Sequence, residues 1–167
     1  MFTTVRGFLK TWKHESESTL KMMKALTDAS LAQAVTPADR TLGRLAWHVT
    51  TSIREMMDRT GLRLNGPAHD APVPRSAGEI ASAYDEAARS LAAAVEQSWN
   101  DAALGQEDEM YGQKWKRGFT LGALVHHQIH HRGQMTVLMR QAGLAVPGVY
   151  GPAREEWSLM GMASPTV

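Results

Sequence analysis

Apolar residues recur along this chain at the three-and-four spacing of amphipathic helices, in four separate stretches. From about residue 4 to 27, Val5, Phe8, Leu9, Trp12, Thr19, Leu20, Met23 and Leu26 form one stripe. From about 42 to 59, Leu45, Val49, Ile53 and Met56 mark a second buried side. From about 77 to 98 the face is Ile80, Ala83, Tyr84, Ala87, Leu91, Ala94 and Val95, and its alanines let a neighbouring helix come close. The fourth stretch runs from about 120 to 142, and Gly143 stands where a helix would stop. Between them lie turn signals at Pro37 and Asp39, and then the Gly- and Pro-bearing crossover TGLRLNGPAHDAPVPRSAGE. The connector NDAALGQEDEMYGQKWKRGF follows, with Trp115 and Phe119 expected to tuck against the helices. No stretch reads as a strand. The pattern predicts one all-α domain over residues 1–167, a four-helix bundle whose long connectors leave the chain order open.

Composition narrows the function classes. The formal net charge is +1, so no broad field favours nucleic acid or an acidic membrane. There is no cysteine, which removes disulfides, thiolate metal sites and a cysteine nucleophile. The N-terminal stretch becomes charged too soon for a signal peptide, and no run approaches the ~18 apolar residues of a membrane span. A cytoplasmic location is the expectation.

Four of the seven histidines fall in HHQIHH, residues 126–131. At about 100° per residue, with His131 set at zero, Leu124, Met135, Leu138 and Ala142 all lie within about 40° of it. His131 is therefore central to the buried stripe, and His127 lies on the same side one turn earlier. His126 and His130 point toward the margin and the outside, and Arg132 and Arg140 flank the stripe or face solvent. Two inward imidazoles one turn apart each need a partner, and side chains at that spacing can converge on one ion. His48, in LAWHVTTS, sits at the edge of the second stripe and can supply a third nitrogen, whereas His14 should be exposed and His69 lies in the Gly/Pro loop. Three protein ligands with one open position describe a catalytic zinc site. Glu55, two turns beyond His48, is a candidate to orient an imidazole. An H-E-x-x-H peptidase helix is set aside, because the residue after the first histidine is Gln128, which cannot act as a base.

HHQIHHRGQM followed by LMRQAGLAVPGVYGPAREEW, with LGRLAWHV far upstream, resembles the DinB family, also called DinB/YfiT-like metalloenzymes. The likeness covers essentially the whole chain. It implies an up-down-down-up order of the four helices, with the long crossover between the second and third. It implies a divalent metal, zinc or nickel, on His48, His127 and His131, with His130 part of the motif but not a ligand. The family shares only its name with a translesion polymerase, so no DNA surface is expected. Many relatives read closer to YGP-x-x-DEW where this chain has YGPAREEW, which leaves the role of Glu155 open. Several relatives use low-molecular-weight thiols, and homodimers are common. The expected function is therefore a metal-dependent, thiol-dependent S-transferase acting on small electrophiles. In it the ion would activate a bound thiolate. A hydrolase working through bound water is one alternative, and a non-catalytic metal- or ligand-binding stress protein is the other.

Overall fold

Each apolar stripe folds as one long helix: α1 is Val5–Lys24, α2 Leu42–Asp58, α3 Ala77–Ser98 and α4 Arg117–Gln141. These elements come from a computed structural model, which describes residues 1–166. Three of the four starts are set locally. The hydroxyls of Thr4, Thr41 and Ser76 accept from the backbone N–H three residues on, satisfying donors that a helix start leaves unpaired. Helix α4 has no side-chain cap. Its first turn is instead held from outside, by Arg117 N–H on the Gln106 carbonyl at 2.9 Å and by Phe2 N–H on the Gly118 carbonyl at 3.0 Å. Gly118 must be glycine for this approach, because a Cβ there would lie 2.1 Å from the Phe2 carbonyl oxygen. At the other end Gly143 takes φ +75° and terminates α4 where the sequence places the stop.

The long helices are joined by one small sheet. The connector ahead of α4 forms an antiparallel hairpin, β1 Glu107–Met110 and β2 Gln113–Lys116, with Glu107 opposite Lys116 and Met110 opposite Gln113. Tyr111 and Gly112 make the two-residue turn with φ of 53° and 78°, the positive values that a tight hairpin requires. Strands of four residues carry too few positions for an alternation to show, and only Met110 among them is fully buried. The hairpin also explains why α4 begins at Arg117 rather than near 120. Phe119 is not tucked in as expected but is 46% exposed, and Trp115 is partly buried.

The helices share one core. Helix α1 packs on α3 and α4, and α2 packs on the same two. Trp12, Tyr84, Phe8, Ile53, Leu91 and Leu121 are fully buried within it. The alanines of α3 do what their size allows, and the Trp12 indole reaches the Ala88 carbonyl at 3.0 Å. Trp47 Nε1 donates to the Ala71 carbonyl at 2.8 Å and ties the crossover to α2. Among the described residues, no helix is long and apolar enough to cross a membrane.

Candidate metal centre

His48 projects from the middle of α2, while His127 and His131 project from α4 one turn apart. The three rings meet edge to face, with centroids 4.4 to 4.8 Å apart. His127 Nε2 lies 3.0 Å from His48 Nε2 and 3.1 Å from His131 Nε2. A single N–H on His127 can satisfy only one of those two neighbours, so protein protons alone leave nitrogen lone pairs facing one another. A cation resolves that conflict. Tetrahedral bonds of about 2.0–2.1 Å place ligand nitrogens roughly 3.3 Å apart, close to the spacing here. Among the described residues these three histidines form the cluster able to hold a metal ion, each offering one donor atom.

The tautomers support the same geometry. His131 Nδ1 lies 2.7 Å from Gln134 Oε1. The amide oxygen accepts, so the proton sits on Nδ1 and Nε2 offers its lone pair inward. His48 Nδ1 has a longer contact, 3.5 Å, to the Ser52 hydroxyl, which donates chiefly to the His48 carbonyl at 2.6 Å. His127 Nδ1 is buried without a protein partner. Burial, then the charge of the neighbouring imidazoles and of Arg40, pushes His48 and His127 down to about 4. Burial also lowers His131, against the opposing pull of the Gln134 hydrogen bond. All three rings are therefore neutral near pH 7, the state in which imidazole binds metal.

The chain matches a protein-family model described as DinB family over residues 1–165. The chain belongs to the DinB family. A curated relative, "Uncharacterized protein YrdA" of Bacillus subtilis, is 47% identical over 165 residues, covering 99% of each chain. A crystal structure of a DinB-like protein from Bacillus cereus is also 47% identical, with a TM-score of 0.87 over 90% of this chain and 100% of that one. A DinB-like protein, YjoA, from Bacillus subtilis is 17% identical with a TM-score of 0.68 over 86% and 96%, and shares the fold.

In this DinB-family chain the other sequence candidates separate cleanly. His14, His69, His126 and His130 are exposed. Glu55 is half-buried on the α2 face near His48, but its oxygens take the Tyr111 hydroxyl at 2.7 Å and Arg59 at 3.1 Å rather than an imidazole. Gln134 holds the ring that sequence reasoning left without a partner. A glutamine three residues beyond a helical histidine was the available signal, since i and i+3 share a face.

Arg132 is the clear correction to the helical wheel. It is 3% exposed and does not flank solvent. Its guanidinium donates to Glu15 Oε2 at 2.7 Å, to the Glu15 carbonyl and Thr19 hydroxyl at 3.1 Å each, and to Tyr150 Oη at 2.8 Å. Tyr150 in turn donates to Glu15 Oε1 at 2.7 Å. Both terminal nitrogens of the guanidinium are thus engaged, two partners each, and such pairing is what a buried ion pair needs to persist. One residue along α4 from His131, this network locks the helix's rotation against α1. Glu155 binds Arg140 and Arg154 and fastens the tail to the end of α4, with Arg140 Nη2 at 2.9 Å from Oε2. Arg140 beside it holds the Glu155 carboxyl well below the usual range, at about 2.

Proposed function

We propose that His48, His127 and His131 hold one divalent metal, zinc or nickel, in a thiol-dependent S-transferase acting on small electrophilic molecules. The observation that carries the reading is the convergence of three neutral imidazole nitrogens beside open clefts rather than inside a sealed core. His48 and His127 line a cleft of about 440 Å³ between α2, α4 and the hairpin. A cation there, held by three neutral ligands, would lower the pKa of a thiol or water placed in its free position.

The chain's own part is preparation. Gln134 fixes the His131 tautomer, and the Arg132–Glu15 pair fixes the helix that carries both α4 histidines. Met56 and Trp115 give the cleft an apolar wall. Glu55 and Tyr111 give the same cleft a carboxylate and a hydroxyl, and this favours a hydrolase as the second reading, with Glu55 taking the proton from water. We read the helix order as up-down-down-up. The supports are Phe2 against Gly118 at the starts of α1 and α4, Ala77 N–H on Asp28 where α1 ends and α3 begins, and Arg117 on the Thr60 carbonyl just past α2. The setting we propose is cytoplasmic, with small-molecule substrates and a homodimer as the assembly.

The test is elemental analysis of protein purified without a histidine tag, beside His48→Ala, His127→Ala and His131→Ala. One ion per chain, lost with turnover in each variant, is the expected result. Electrophile turnover that survives complete metal removal would refute the reading. Assays with and without free thiol separate the transferase, which consumes it, from the hydrolase, which does not.

A further inference from the structure

The three histidines are not shared by one cavity. His48 and His127 line the hairpin-side cleft with Arg44, Met56, Tyr111 and Trp115. His131 lines a different cleft of about 550 Å³, with Arg40, Leu45, Gln134, Val137 and Leu138. No residue lines both. The two openings lie along the groove between α2 and α4, on either side of the imidazole cluster. Both volumes fall within the range of small-ligand sites, about 300–1,000 Å³.

The walls differ in chemistry. On the hairpin side Trp115 stands edge-on to Tyr111 at 5.6 Å and to Phe119 at 5.0 Å, an aromatic surface against which a flat ring packs. Tyr111 is the one non-glycine residue at positive φ among the described residues. Its hydrogen bond to Glu55 and the Arg59 guanidinium 4.8 Å from its ring centre hold that uncommon conformation. The opposite cleft is aliphatic, through Leu45, Val137 and Leu138.

Each cleft also holds one unengaged guanidinium. Arg40 and Arg44 make no side-chain hydrogen bond or ion pair among the described residues, whereas Arg54, Arg59, Arg117, Arg132 and Arg140 are all paired. The acids nearby are already occupied, Glu55 by Tyr111 and Arg59 and Asp39 by Thr36. A guanidinium in this position is suited to a carboxylate.

We propose that the histidine cluster is a partition between two ligand sites: the hairpin-side cleft takes an aromatic carboxylate through Trp115 and Arg44, and the opposite cleft takes an aliphatic, carboxylate-bearing thiol through Arg40. Two reactants then reach the centre from opposite sides without competing for one pocket. The thiol half rests on the metal reading above; the aromatic half does not.

The experiment uses the full chain loaded with cobalt(II), with 2-naphthoate and 3-mercaptopropionate as probes. Calorimetry follows the first, and sulfur-to-cobalt charge-transfer absorption the second. Arg44→Gln and Trp115→Ala should weaken naphthoate about fivefold or more, and Arg40→Gln should leave it within about twofold. Mercaptopropionate should show the reverse dependence on the two arginines. Saturation with either probe should leave the affinity of the other within about twofold. Arg44 is exposed, so its variant tests the site even if Trp115→Ala disturbs the hairpin. Mutual displacement, no naphthoate binding, or equal effects of both arginine variants on both probes would overturn the two-site arrangement. Bound cobalt whose spectrum ignores the thiol would overturn the thiol half alone, and a chain that takes up no cobalt would overturn the metal reading, while naphthoate's dependence on Arg44 and Trp115 would still decide the aromatic cleft.

Discussion

Replacing Arg132 with methionine isolates the buried ion pair. The side chains of Arg132 and Glu15 are 4% and 6% exposed, and their contact is 2.7 Å. Methionine keeps the aliphatic stem but deletes the donors to Glu15, Thr19 and Tyr150. Glu15 then keeps one partner, the Tyr150 hydroxyl, for a carboxylate sealed from water. Removing one member of a buried pair costs about 3–5 kcal/mol, most of it the penalty of the charge left behind. For a chain of this length each kcal/mol moves the midpoint about 2–4 °C, so the expected fall in Tm is roughly 6–20 °C. Urea denaturation and calorimetry of metal-free Arg132→Met measure it. Adding Glu15→Gln should recover part of the loss, because the stranded charge is gone, so the double-variant cycle should show strong coupling. An Arg132→Met protein within about 1 kcal/mol of the parent, or a double variant worse than the sum of the singles, would refute this account of the pair.

Gln134→Leu removes the acceptor that orients His131 and should weaken zinc binding about 10- to 100-fold while the fold persists, as read by competition with a chromogenic chelator. Metal-free protein should lose stability on acidification. His48 and His127 sit at about 4 when folded but titrate near 6.5 when unfolded. Proton uptake therefore favours the unfolded chain as pH falls from about 6.5 toward 4, and the contribution is complete above that window. Denaturation curves at pH 7.5, 6 and 5 should show this slope, and His48→Asn with His127→Asn should flatten it. An unchanged slope in the double variant would show that other groups cause the acid sensitivity.

Much of the scaffold is legible in the sequence. The bounds of α3 and the stop of α4 at Gly143 followed from periodicity and one turn residue, because a helix of more than twenty residues repeats its pattern often enough to be read. The inward pairing of His127 and His131 followed from the same arithmetic. Arg132 did not, although it is the next residue. At about 100° from His131 it lies on the margin of the stripe. Whether such a position meets water depends on what the neighbouring helix presents, and here that is Glu15, 117 residues away in the chain. The hairpin was hidden for a different reason. Its strands are too short for an alternation, and its turn is Tyr-Gly rather than a familiar Asn-Gly pair.

By itself the sequence determined the helical class, the presence of four long helices, and which face of α4 turns its histidines inward, while the end of α1 at Lys24 and the start of α4 at Arg117 came from the structure. The first three are local consequences of how often apolar residues recur. Only the tertiary structure decided that His48 Nε2 comes within 3.0 Å of His127 Nε2, that Gln134 holds His131, and that the cluster stands between two clefts rather than in one. Those are distances between separate segments. They are set by how whole helices pack and rotate against one another, and the pattern along a single helix carries no record of that.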